Sequence, residues 1–200
     1  MANFISIFRI FVMFIAVYLI FAMEGNSVAY LWALILTILA FALDGVDGYV
    51  ARKFNEVSKF GALLDIMGDR IVENTYWVLF AVMGWISILF PIIALTRGFI
   101  TDTIRSAAME KGLTPFGMQK NPICKFITGS KLMRISYAVA KVMAFILIVA
   151  AKTPNCPYSE IVWNIGYWAA VFAIVFCVIR GLPVVIEAKS VLEDIFGAGV

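Results

Sequence analysis

An all-α membrane protein, six transmembrane helices in one bundle, is the fold class this sequence predicts, and three observations predict it. Hydrophobic residues make up 63% of the 200-residue chain, and the mean hydropathy is +0.97, far beyond an ordinary soluble domain. Apolar runs recur at lengths near the roughly 20 residues that a bilayer crossing needs. Short turns rich in Gly, Pro, Asn and charge separate those runs, with no repeats and no low-complexity tract.

The first run spans residues 4–23 and is interrupted by Arg9. No basic residue precedes it and no clear cleavage site follows, so it reads as a membrane helix and not as a signal peptide. Glu24-Gly25-Asn26-Ser27 forms a turn into a second span over residues 28–55. A third helix starts after Ser58 and continues to residue 83, where Gly84 breaks it. The fourth, over 86–109, contains Pro91, Arg97, Asp102 and Arg105. Residues 110–125 are the least apolar stretch and hold Gly112, Pro115, Gly117 and Pro122, which predicts a linker. The fifth helix covers 126–151, a turn covers 152–157, and the sixth helix runs over 159–187. The whole chain, 1–200, reads as a single domain.

The formal net charge is only +3, and its placement carries the information. Arg52, Lys53 and Lys59 follow the second span, and Lys111, Lys120, Lys125 and Lys131 follow the fourth. The turns at 24–27 and 84–85 carry no basic residue, and the turn at 152–157 carries only Lys152. Basic loops stay on the cytoplasmic side, which predicts both termini there. Tyr30, Trp32, Trp85, Tyr158 and Trp163 fall at the other face, as an interfacial aromatic belt should. The absence of histidine removes imidazole acid–base chemistry and most zinc sites. Cys124, Cys156 and Cys177 are scattered and odd in number, so they imply no disulfide framework. Nucleic acid is not an expected partner; membrane lipids are.

Against this background the stretch from Asp44 to Asp69 stands out. Asp44, Asp47, Asp65 and Asp69 lie in or beside strongly apolar sequence. One charge at the centre of a membrane helix costs about 2.5–3.5 kcal/mol on insertion scales, and four neighbouring carboxylates repel one another. A hard divalent cation (Mg²⁺, Mn²⁺ or Ca²⁺) relieves both penalties. Asp44 and Asp47 are three residues apart and Asp65 and Asp69 four apart, so each pair shares a helix face. Gly48, Ala51 and Gly61 among them permit close approach of two backbones.

The pattern D-x2-D-G-x2-A-R-x8-G-x3-D-x3-D fits Asp44, Asp47, Gly48, Ala51, Arg52, Gly61, Asp65 and Asp69 at every fixed position. It resembles the signature of the CDP-alcohol phosphotransferases, integral membrane enzymes of phospholipid synthesis, and covers about an eighth of the chain. The resemblance implies two divalent ions, Mg²⁺ or Mn²⁺. It implies that Asp44, Asp47 and Asp65 are ligands, with Asp69 both close to the second ion and the base toward the acceptor hydroxyl. It implies a CDP-binding pocket from Asp44, Gly48, Ala51, Arg52 and Gly61. Homodimers are general in the family.

Arg97, Arg105, Lys131, Arg134, Lys141 and Arg180 are the other costly charges within apolar segments. Asp102 and Glu73 are the anions available to neutralise two of them. The alternative is a phosphate-binding pocket, since arginine offers planar bidentate donors and lysine a point charge. Arg97-x7-Arg105 is similar to the R-E-x6-R segment of bacterial phosphatidylglycerophosphate synthases, with Gly98 in place of Glu. Asn3-x-x-Ser6-x-x-Arg9 resembles their first helix, whereas Asp65-Ile66-Met67-Gly68-Asp69-Arg70 departs from their D-P-x-A-D-K. Arg180 resembles an arginine that holds the acceptor phosphate in the inositol-phosphate branch. The resemblance therefore implies phosphatidyl transfer from CDP-diacylglycerol to a phosphorylated alcohol with release of CMP. Glycerol 3-phosphate is the first expectation, inositol phosphate the second, and Arg97, Arg105, Lys131, Arg134 and Arg180 hold the acceptor phosphate. A divalent-cation channel or transporter is the rival of another class; it accounts for the carboxylates but not for the Gly-Ala-Arg positions.

Overall fold

Each apolar run is helical, one of them in two pieces, in the computed structural model, which describes residues 2–53, 59–110 and 121–196, with side chains for all of these except 2, 47–53, 59, 62, 110, 122 and 188–196. The helices are α1 (Ala2–Ala22), α2 (Ser27–Lys53), α3 (Lys59–Val82), α4 (Leu89–Glu110), α5 (Pro122–Gly129), α6 (Lys131–Lys152) and α7 (Ser159–Phe196). No strand occurs among the described residues. Asn3–Ala22, Ser27–Val46, Lys131–Lys152 and Ser159–Glu187 are long and apolar enough to cross a membrane. The remaining long helices, α3 and α4, have the length but carry the charges of interest.

The turns follow from local chemistry. Asn26 caps α2: its Oδ1 accepts from the backbone N–H groups of Val28 at 3.0 Å and Ala29 at 3.1 Å. The expected fifth helix over 126–151 is corrected to two, α5 and α6. Asn121 caps α5 by accepting from the Ile123 N–H, and Pro122 sits in its first turn, where a missing N–H costs nothing. Ser130 is extended (φ −66°, ψ 139°) and ends α5. Its Oγ then accepts from the Met133 N–H at 3.1 Å and so starts α6. The linker at 111–120 lies outside the described residues.

The chain divides into two compact units, Met1–Ile88 with Val142–Ala169, and Leu89–Lys141 with Ala170–Val200. In the first, α1 buries Ser6, Arg9, Val12, Met13, Ala16 and Ile20, a stripe at helical spacing. Its other face exposes Phe4, Phe8, Phe11, Phe14, Tyr18 and Phe21, a surface suited to lipid. The core of this unit is aromatic. Phe145 packs on Trp77 with ring centroids at 4.6 Å, on Tyr76 at 5.2 Å and on Phe80 at 5.8 Å. The buried Tyr76 hydroxyl shares a 2.7 Å hydrogen bond with Thr37 Oγ1, so its polar end is satisfied. Gly166 lets α7 approach α6, since a Cβ there would meet Leu147 Cβ at 3.0 Å and the Ile148 nitrogen at 3.1 Å. Three of the expected belt aromatics also meet here. Tyr30 and Trp85 lie 6.3 Å apart, and Lys152 Nζ sits over Trp163 at 4.3 Å and Trp85 at 5.9 Å.

In the second unit, Ile104 and Ala108 of α4 pack against the fully buried Val184 of α7. The same helices line an apolar crevice of about 320 Å³, with Ile93, Arg97 and Ile100 on one wall and Gly181, Leu182 and Val185 on the other. Asn121 at the start of α5 donates its backbone N–H to Glu187 on α7 at 3.0 Å. Burial, followed by the neighbouring Glu187 carboxylate, pushes the Cys124 thiol up from its ordinary value.

Candidate active site

Carboxylate spacing along α2 and α3 does in space what it does in sequence. Asp65 and Asp69 lie one turn apart on α3, and Asp44 reaches them from α2. Ligand oxygens of these three aspartates all lie within 4.8 Å of one another. Asp44 is half-buried, and Asp65 and Asp69 are exposed. Such a set of hard oxygen donors suits a divalent cation of the Mg²⁺, Mn²⁺ or Ca²⁺ kind. The side chains of Asp47, Ala51 and Arg52 lie outside the described residues, and Gly48 is a residue of α2. Gly61 stands in the first turn of α3.

One residue of this centre had no role in the sequence reading. Arg9, only 2% exposed, comes from the middle of α1 and enters the carboxylate cluster. Its Nη1 pairs with Asp44 Oδ1, and its Nη2 lies 3.1 Å from Asp69 Oδ1 and 3.6 Å from Asp65 Oδ1. The same Nη2 donates to the Asp65 backbone carbonyl at 3.2 Å. Gly68 makes the space, because a Cβ on it would stand 2.7 Å from Nη2 and 3.3 Å from Nε. The signal was present: a lone cation inside a 20-residue apolar span must face something anionic.

The second charged group forms on α4, α6 and α7. Arg180 lies within electrostatic reach of Arg97, Arg105 and Arg134. It rests over the Tyr137 ring, 5.5 Å from its centroid, and its Nη2 donates to the Thr128 carbonyl at 3.4 Å. Lys141 Nζ lies over the same ring at 5.5 Å. The buried Nε atoms of Arg97 and Arg180 have no hydrogen-bond partner. The Arg97 stem fills the space over Gly181, where a Cβ would meet its Cγ at 2.8 Å. Lys131, expected with these arginines, is exposed at the first residue of α6. Glu73 is buried and Asp102 half-buried, and both are engaged by neighbours.

These groups sit in a chain whose sequence, over residues 1–179, matches the family model described as CDP-alcohol phosphatidyltransferase. The chain belongs to that family. As a CDP-alcohol phosphatidyltransferase it is an integral membrane enzyme of helical build. It is 26% identical over 171 residues to the CDP-diacylglycerol–glycerol-3-phosphate 3-phosphatidyltransferase of Rickettsia typhi, covering 85% of this chain and 88% of that one. It is 27% identical over 158 residues to the Bacillus subtilis protein of the same name, covering 79% and 74%. A shorter match, 54% identical over 37 residues, is to CDP-diacylglycerol–inositol 3-phosphatidyltransferase 1 of Arabidopsis thaliana, 18% of this chain and 16% of that one.

Proposed function

We propose that this phosphatidyltransferase moves the phosphatidyl group of CDP-diacylglycerol onto the hydroxyl of glycerol 3-phosphate, releasing CMP. The observation that carries the acceptor is the gathering of Arg97, Arg105 and Arg134 around Arg180, with buried Nε donors on Arg97 and Arg180 that lack partners. Arg97 and Arg180 are half-buried, and desolvated guanidinium donors without an acceptor are costly, a cost that a phosphate offsets. Serine would not need so many cations, and free inositol needs none. The long matches to proteins named for glycerol 3-phosphate support the same choice. Inositol phosphate remains the second acceptor, because the arginine group suits any phosphorylated alcohol.

Asp44, Asp47, Asp65 and Asp69 would hold two divalent ions, Mg²⁺ or Mn²⁺; when bound, these neutralise the diphosphate and stabilise departing CMP. The chain's own residues do the rest. Gly48, Ala51, Arg52 and Gly61 line the nucleotide pocket together with Asp44. Asp69 accepts the proton of the acceptor hydroxyl, and the freed oxygen attacks the lipid-bearing phosphorus in a single displacement. The phosphorus–oxygen bond to CMP breaks as the new one forms, with no covalent enzyme intermediate. Arg97, Arg105, Arg134 and Arg180, with Lys131 at the approach, hold the acceptor's own phosphate. All six long spans cross the membrane as one domain, with the aspartates and both termini facing the cytoplasm of a bacterial inner membrane, and the enzyme works as a homodimer.

Purified protein given labelled CDP-diacylglycerol tests the reading, with glycerol 3-phosphate, inositol phosphate, inositol and serine supplied side by side. Label should pass to glycerol 3-phosphate at the highest kcat/KM. Transfer to serine or free inositol instead would sink the phosphate-acceptor assignment, and no transfer to any alcohol would favour a cation channel.

A further inference from the structure

A guanidinium occupies the ground that the carboxylates of Asp44, Asp65 and Asp69 enclose. Arg9 is 2% exposed, so it is not a surface cation that happened to fold over. It faces all three carboxylates and one carbonyl through its two terminal nitrogens. Its Nε is buried and takes no hydrogen bond. A cation held there does what a metal ion does: it offsets the mutual repulsion of carboxylates packed within 4.8 Å. It also competes, since a carboxylate oxygen turned toward Arg9 is turned away from a metal.

The chain is cut to fit this arrangement. Adding a Cβ at Gly68 would put it 2.7 Å from Nη2, a distance that real contacts do not reach. Elsewhere a flexible arginine tip would swing aside, but this one is tethered by its three carboxylates. Gly68 lies one residue before Asp69, so the vacancy it provides is inside the site itself.

We propose that Arg9 is a built-in counter-cation of the carboxylate cluster: it holds Asp44, Asp65 and Asp69 together in the metal-free protein and must yield its place when a divalent ion binds. Gly68 keeps the space in which the guanidinium stands. Arg9 is thus a positioning residue that sets metal affinity from within. The inference rests on the reading of the cluster as a divalent-cation site, and the test separates the two.

The full chain in detergent or nanodiscs is titrated with Mn²⁺ alone, and its Tm is measured in excess chelator and in saturating Mn²⁺. Arg9→Gln should bind Mn²⁺ about ten-fold more tightly or better, because a charge-assisted contact no longer has to be broken. Its Tm in chelator should fall, while the rise in Tm on adding Mn²⁺ should grow. Arg9→Lys, which keeps a cation, should lie between Arg9→Gln and the wild type. Gly68→Ala, which crowds the guanidinium without removing it, should tighten Mn²⁺ by a smaller factor and add nothing on top of Arg9→Gln. Gly68→Ala carries the test if Arg9→Gln does not fold. A merely structural arginine would lower both Tm values alike and leave the Mn²⁺ Kd unchanged, which overturns the proposal. Weaker Mn²⁺ binding in Arg9→Gln also overturns it. Absence of saturable Mn²⁺ binding in both wild type and variant overturns the metal reading itself.

Discussion

Three carboxylates on α2 and α3 converge on one guanidinium from α1, whereas Arg180 on α7 has the arginines of α4 and α6 in its electrostatic neighbourhood and rests on an aromatic ring and a backbone carbonyl. The two groups are of similar size and opposite sign, yet they are balanced differently. The acidic group carries a counter-charge of its own, and two of its three carboxylates are exposed. In the basic group, the Nε donors of Arg97 and Arg180 are buried and unused. A buried donor without an acceptor costs free energy that a bound anion recovers. On the two readings proposed above, the acidic group exchanges one cation for another, and the unused Nε donors of Arg97 and Arg180 await an anion.

The sharpest way to break this contrast is to neutralise the acidic group. Asp65→Asn removes an ionised ligand and leaves Arg9 with fewer partners. Release of CMP from CDP-diacylglycerol should fall about 10²–10³-fold or more, the scale of losing one charge-stabilising group at a reacting centre. Mn²⁺ binding should be lost with it, and excess chelator should do the same to the wild type until Mg²⁺ or Mn²⁺ is restored. Full turnover in chelator would remove the divalent ion from the account. Asp69→Asn should separate from Asp65→Asn: turnover goes, but binding of CDP-diacylglycerol persists if the proton-accepting role dominates. Equal loss of nucleotide-lipid binding in both would leave no distinct base.

A second, smaller effect distinguishes the basic group. Arg180→Ala and Arg97→Ala should each raise the KM for glycerol 3-phosphate roughly ten-fold or more, as one charged hydrogen bond is worth about 1.5–3 kcal/mol. The KM for CDP-diacylglycerol should change little. Kinetics with each substrate varied in turn read both constants. If the arginine variants weaken the nucleotide-lipid and spare the acceptor, the basic group serves the lipid or the bundle, and the phosphate acceptor goes.

The same contrast explains what could be read from the residues alone. Asp65 and Asp69 are four apart on one helix, so their shared face was legible from period. The helices themselves were legible because apolar runs of this length leave little alternative in a membrane. Two local signals went unread: Asn121-Pro122, a cap followed by a first-turn proline, and Gly129-Ser130, a helix end followed by a cap. Asn121-Pro122 closes a Gly- and Pro-containing stretch that reads as linker up to residue 125, and Gly129-Ser130 falls inside the run of residues 126–151 that reads as one helix. Contacts made across large separations were illegible for a different reason. Arg9 meets Asp69 60 residues away, and Gly181 clears room for Arg97 on another helix. No spacing rule links such pairs, and nothing in the sequence around Gly68 marks the Arg9 guanidinium that lies beside it.

The smallest expected effect lies in Tyr137, which no motif singled out. Its ring carries Arg180 and Lys141, each 5.5 Å from the centroid. A cation over an aromatic face gains about 0.5–1 kcal/mol at exposed sites and about 2 kcal/mol when desolvated. Tyr137 is half-buried, which places it between those limits. The ring attracts both cations despite their repulsion and, on the phosphate-acceptor reading, aligns Arg180 for the anion. Tyr137→Leu keeps the bulk and loses the π face, so the KM for glycerol 3-phosphate should rise roughly two- to five-fold. Tyr137→Phe keeps the face and should remain within about two-fold of wild type. The hydroxyl is then the variable: if Phe is as damaging as Leu, the phenol and not the ring does the work, and Tyr137 would belong with the hydrogen-bond donors of the site. The double variant Tyr137→Leu with Arg180→Ala decides whether the ring acts through Arg180, because its KM should then match that of Arg180→Ala alone.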